Sequence, residues 1–224
     1  MGKRASVPTA PAQSLTELAY AHLEELIVTL KLAPGGVVSE GELSELTGIG
    51  RTPIREALQR LARDKLVSIL PRRGIVVTEI NVGNQLRLLE VRRELERLIA
   101  KSAARRATIA ERNRFRELAR DFERSAKAND DVAFMRTDRE FNTLCSAASH
   151  NEFAAGAMSL MHSLSRRFWY IHYKQAADMP ATAKLHGDIA RAIAVGDEER
   201  AAKASDRLLD AIEKFTRDTV GSDD

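Results

Sequence analysis

The feature that most restricts the fold of this chain is Thr47-Gly48-Ile49-Gly50, a short turn with two glycines set between two segments of helical character. Glycine enters left-handed backbone without a Cβ penalty, so one helix can stop there and another begin at once. Upstream, Ser39-Glu40-Gly41-Glu42 has the form of a capping box, in which the serine oxygen accepts from a first-turn N–H and the glutamate reaches back. A short helix from that point passes through Leu43 and Leu46 into the turn. Downstream, Arg51 to Leu61 reads as a helix with Pro53 in its first turn, where amides have no intrahelical partner to lose. Ile54, Ala57, Leu58 and Leu61 form an inward stripe, while Arg51 and Arg55, four apart, share the opposite side near the helix start.

The flanks extend this pattern. Leu15, Leu18, Ala19, Leu23, Leu26, Ile27 and Leu30 have the spacing of an amphipathic helix that Pro34-Gly35-Gly36 ends. Leu66 to Leu70 and Ile75 to Thr78 are β-favouring runs around Pro71-Arg72-Arg73-Gly74, which reads as a hairpin with a basic tip. Residues 14–80 are thus expected to form a winged helix-turn-helix of three helices and a β-hairpin wing. Charge agrees with a nucleic-acid contact: Leu15 to Glu45 holds six glutamates and only Lys31, whereas Arg51 to Arg73 holds seven basic residues against Glu56 and Asp64. A helix N-terminus in the major groove brings free N–H groups near phosphate, and arginine suits the paired acceptors of guanine. Taken alone, the arginine pair is more readily an ordinary exposed pair on an amphipathic helix.

Together these residues resemble a known family. Leu32-Ala33-Pro34-Gly35-Gly36, Ser39-Glu40, Gly48, Arg51 to Leu58, Arg60-Leu61 and Arg72-Arg73-Gly74 are similar to the DNA-binding half of the GntR family. The resemblance implies DNA contacts at Arg51, Thr52, Arg55 and Gly74, with Arg60 and Arg73 as further candidates. Gly50 departs from it, standing where a serine usually caps the recognition helix. Gly41 departs too, standing where some members place a base-contacting arginine.

At 224 residues and 44% apolar composition the chain has room for two domains of roughly 70 and 140 residues, each able to hold a core. No apolar run approaches the ~18 residues of a membrane span. The start, Met1-Gly2-Lys3-Arg4, lacks an apolar h-region, so residues 1–13 are expected as a flexible basic arm and the protein as cytoplasmic. The lone Cys145 leaves no internal disulfide and no cysteine-cluster zinc site. Past a linker at 81–85, residues 86–220 carry only helical periodicity and predict an all-α domain of six helices, so the fold class is mainly α. No nucleophile elbow, Gly-rich phosphate loop or His-Glu-x-x-His is present, so an enzyme is not expected.

Within that second domain, Glu90 to Glu96, Asp138 with Phe141, Asn151, His186 followed by Ala192-Ile193, and Asp197 with Ala201 resemble the FadR subfamily's FCD-type effector domain, an antiparallel helical bundle. The resemblance implies a small, often carboxylated ligand and, in many members, a divalent metal held by one Asp and three His. Asp138 and His186 fall in place, but Asn142 occupies the first His position and Leu208 the last. An Asn carbonyl is a weak donor and Leu is none, so no cofactor is expected with certainty and a divalent metal is doubtful. Arg92, Asp138, Asn142 and His186 are instead candidates to bind an organic effector, with Arg166 or Arg167 available to a carboxylate. Asp138 and His186 could also simply satisfy each other. The aromatic run Phe168 to Tyr173 fits a core, a dimer interface or a pocket wall, and His172 could replace a missing metal donor.

These observations predict a homodimeric, sequence-specific transcription regulator, a repressor by expectation, whose operator binding a small organic acid modulates. The rivals are an architectural DNA-binding protein with little sequence preference, and a regulator whose helical domain has lost its ligand and only dimerises.

Overall fold

In a computed structural model, residues 14–176 and 178–219 are described, without the side chains of 173–176. The expected basic arm at 1–13 and the last residue of the expected helical domain lie outside the described residues. The chain divides into two units, the first ending at Thr78 and the second beginning at Glu79.

The first unit contains α1 (Leu15–Val28), β1 (Val37–Val38), α2 (Glu40–Thr47), α3 (Arg51–Arg63), β2 (Val67–Leu70) and β3 (Gly74–Val77). Ser14 and Ser39 each close a full capping box, with Glu17 and Glu42 respectively. Gly48 takes left-handed backbone at φ 69°, and Ser44 Oγ donates to the Ile49 carbonyl at 2.6 Å, fixing the turn between α2 and α3. Leu23, Ile27, Leu43, Ile54, Leu58, Leu61 and Leu66 are fully buried and form the core under that turn. The stripe Ile54, Ala57, Leu58, Leu61 is buried as its spacing requires.

Two local expectations fail here. α1 ends at Val28 rather than at Pro34: the Thr29 hydroxyl donates back to the Glu25 carbonyl, Leu30 turns left-handed at φ 60°, and the Leu32 N–H closes on the Leu26 carbonyl. The wing also has a third strand, because β1 pairs antiparallel with β3 in the sheet order β1-β3-β2.

The second unit contains α4 (Val82–Arg106), α5 (Ile109–Ala128), α6 (Asp131–Ala148), α7 (Glu152–Ala176), α8 (Met179–Val195) and α9 (Glu198–Asp218). Residues 81–85 are not a linker. Asn81 caps α4 by accepting from the Asn84 N–H, and residues 82–85 form its first turn. Gly83 and Asn84 in that turn are weak helix formers, which hides the true start. α8 packs against α4, α5, α6 and α9. Alanines at 183, 190, 192 and 194 are buried on it and let those neighbours approach closely. Phe115, Leu118, Phe122, Met158 and Ile193 are the largest side chains sealed in this core.

Candidate functional site

In the first unit, Arg51, Thr52 and Arg55 are exposed on the first turns of α3, opposite its buried stripe. Gly50 occupies the N-cap without a side-chain hydrogen bond, so the first-turn N–H groups are not taken by a capping side chain. Arg72 and Arg73 are exposed at the wing tip. Gly74 has φ 91°, and a Cβ there would stand 3.0 Å from the Val38 carbonyl oxygen, so only glycine lets the wing close on β1. Arg60 lies elsewhere: its guanidinium stacks 4.0 Å over the Tyr20 ring, tying α3 to α1. Sequence reasoning missed Glu40. Its carboxylate accepts from Arg55 Nε at 2.9 Å and Nη2 at 2.7 Å, and these bonds hold it below the ordinary carboxylate range.

In the second unit, a cavity of about 70 Å³ is lined by all four predicted effector residues, Arg92 from α4, Asp138 and Asn142 from α6, and His186 from α8. Its polar wall is largely self-paired. Arg92 Nε donates to Glu96 Oε1 at 2.7 Å, and Asn142 Nδ2 donates to Asp138 Oδ1 at 3.0 Å. His186 Nε2 meets the same Asp138 oxygen at 3.0 Å, while its Nδ1 meets the Thr182 carbonyl at 2.9 Å. Both ring nitrogens face acceptors, an arrangement that favours the doubly protonated ring. Burial opposes that charge, yet the Asp138 contact outweighs it and raises the His186 pKa. Burial likewise works to raise Asp138, but His186, with His162 and Arg166 nearby, holds it below its ordinary value. Phe122, Phe134 and Phe141 surround the His186 ring with centroids at 5.2 to 5.7 Å.

Three further polar residues line the cavity from α7: His162, Ser165 and Arg166. Burial lowers the His162 pKa, and Ser165 Oγ is buried with no hydrogen-bond partner. Of the aromatic run, Phe168 and Trp169 line the cavity, whereas Tyr170 is exposed and the Tyr173 side chain lies outside the described residues. Arg167 points away to the Glu79 carbonyl, and His172 stacks on Phe168 outside the cavity lining. His172 therefore does not replace a metal ligand. His162 was missed, although its spacing of three, four and seven to Ser165, Arg166 and Trp169 marks one face of α7.

The residues present do not fit a metal. Asp138 Oδ1 and His186 Nε2 face each other, His186 Nδ1 is taken by the Thr182 carbonyl, the Asn142 amide nitrogen faces Asp138, and Leu208 adds only hydrocarbon. Among the described residues no group of three His, Cys, Asp or Glu is placed to hold one.

Comparison with known proteins agrees with both units. Residues 15–77 match the bacterial regulatory proteins of the gntR family, and residues 87–211 match the FCD domain. The HTH-type transcriptional repressor RspR of Escherichia coli is 24% identical over 92% of this chain and 91% of its own length. A fatty acid metabolism regulator protein of Enterobacter is 38% identical over 38% of this chain and 36% of its own. The structure of E. coli McbR/YncC superposes with a TM-score of 0.79 at 19% identity, covering 92% of this chain and 99% of that one. A putative GntR regulator from Rhodococcus gives 0.66 at 18% identity over 92% and 98%. RspR and the fatty acid metabolism regulator are both named as regulators, and no helix among the described residues is long and apolar enough to cross a membrane.

Proposed function

Because this chain belongs to the gntR family of bacterial regulatory proteins, with an FCD domain behind its winged helix-turn-helix, we propose that it is a cytoplasmic repressor whose operator binding is controlled by a small monocarboxylate. Arg51 and Arg55 read base edges, while Thr52, Arg73 and Gly74 position the phosphate backbone. Arg60, stacked on Tyr20, contributes to this surface only indirectly. The repressor reading leans on RspR, the relative named as one.

Two copies associate through α4 and α7. Those helices pack together, and Val91, Leu98, Phe153, Leu160 and Ile171 on them are exposed apolar side chains. Phe153, Leu160 and Ile171 are spaced seven and eleven apart, which sets them on one face of α7. A patch of that kind on an otherwise polar surface is what a homodimer buries.

The observation that carries the effector reading is the set of hydrogen-bond donors that line the cavity. Arg92, Arg166, His162 and His186 line it together with Ser165, whose Oγ is buried without a hydrogen-bond partner, and nitrogen and hydroxyl donors of this kind suit one carboxylate. The small volume selects an acid of few non-hydrogen atoms. Isothermal titration with a panel of two- to six-carbon monocarboxylates tests this, followed by operator-binding anisotropy with any acid that binds. Binding that Arg92→Ala abolishes, together with altered operator affinity, supports the reading. If no acid binds, the helical domain serves dimerisation alone.

A further inference from the structure

The two arginines on α3 are not presented alike. Arg55 is gripped by Glu40, the first residue of α2, through its Nε and Nη2 hydrogens, at 2.9 and 2.7 Å. That edge of a guanidinium is one of its two two-pronged faces. The other, formed by Nη1 and the second Nη2 hydrogen, stays free and points away from the carboxylate as a matter of planar geometry.

The grip is anchored on rigid backbone. The start of α2 is fixed by the Ser39–Glu42 capping box, and the α2–α3 angle by the left-handed Gly48 turn. Arg51 comes to the same place, since its Nη2 would lie 3.7 Å from a Cβ at Gly41. One carboxylate therefore stands beside both arginines, and Arg51 also acts on its charge.

Folding does not account for this pair. The Arg55 side chain is 61% exposed and that of Glu40 is 33% exposed, and ion pairs so open to water add little to stability. What the pair changes is how Arg55 meets DNA. A carboxylate at its shoulder repels an approaching phosphate, which carries a full negative charge. It leaves the uncharged O6 and N7 acceptors of guanine much less affected.

We propose that Glu40 is a specificity-determining positioning residue, which holds Arg55 side-on so that its end-on edge reads a guanine rather than a phosphate. This rests on the proposal that α3 enters the major groove.

The test uses the full-length protein with its selected operator, single-base variants of that operator and random-sequence DNA. Glu40→Gln removes the charge and keeps the shape, and it should leave the melting temperature of the protein nearly unchanged. Its expected signature is a loss of about tenfold or more in preference for the base that Arg55 reads. Random-sequence DNA should bind more tightly, with a log–log salt slope steeper by about 0.9 per half-site, as one further phosphate contact forms in each protomer. In an Arg55→Ala background the same change should leave base preference unaltered. Unchanged preference and slope in Glu40→Gln would overturn the proposal. So would an effect that persists undiminished without Arg55, which would make Glu40 itself the reader, accepting from a cytosine amine. Should Arg55→Ala leave operator preference intact, the underlying placement of α3 fails, and that result is separable because the Glu40 variant is then not needed to see it.

Discussion

Replacing His186 and Asp138, singly and together, distinguishes an internal ion pair from two independently useful polar groups. Their side chains are 8% and 17% exposed and meet at 3.0 Å. His186→Phe keeps an aromatic body among Phe122, Phe134 and Phe141 but strands the largely buried Asp138 carboxylate. Breaking a buried pair from one side costs ~3–5 kcal/mol. The Asn142 amide still donates to Asp138 at 3.0 Å, so the lower end, about 3 kcal/mol, is expected. Asp138→Leu is milder at about 2 kcal/mol, because His186 can shed its proton, keep its Thr182 bond and leave only one ring nitrogen unsatisfied. The double variant removes both buried charges, and such replacements by apolar groups are often neutral. It should cost no more than about 2 kcal/mol, which makes the coupling about 3 kcal/mol. Urea unfolding at neutral pH, read from the helical domain, supplies all three values. Additive costs, with the double variant at about 5 kcal/mol, would refute the pairing and with it the imidazolium assignment.

Two other outcomes follow from the same pocket. The stabilisation from His186, whose pKa is raised above its ordinary 6.5, is fully present below that pH and is lost as pH rises through the folded value. Asp138, held below its ordinary 3.8, contributes above that pH and loses its contribution as pH falls through the lower folded value. The stability gap between the native protein and His186→Phe should therefore narrow from pH 6.5 upward, measured as urea midpoints across pH 6 to 9. Metal behaviour is the second: zinc or nickel should give the native protein no chelator-reversible thermal shift, whereas Asn142→His with Leu208→His should acquire one, since imidazoles then replace an amide and a hydrocarbon in the cavity lining.

Much of this architecture was legible because its determinants are local. Capping boxes at Ser39 and Ser14, the left-handed Gly48 and the three-and-four spacing of Ile54, Ala57, Leu58 and Leu61 each act within a turn or two of helix. What was not legible depends on partners distant in sequence. Val37 and Val38 form a strand only because β3 returns to pair with them. Glu40 looks like an acidic residue suited to a helix start, and only the packing of α2 on α3 brings it to Arg55, fifteen residues on. His162 belongs to none of the short motifs and enters the pocket only because α7 crosses beside α4 and α6. Asn142 and Leu208 mark the loss of the metal set from sequence alone, but the pairing of Asp138 with His186 that takes its place needed the bundle itself.

The central claim is that the exposed start of α3 reads DNA sequence, and Arg51 tests it most directly. Operators selected from random DNA by the native protein would be titrated with Arg51→Ala, and the ratio of specific to random-sequence affinity measured at fixed salt. The account predicts that this ratio falls by about tenfold or more per half-site while the fold and the effector pocket stay intact. An unchanged ratio, with only a uniform weakening across all sequences, would mean that Arg51 meets phosphate and that base readout lies elsewhere.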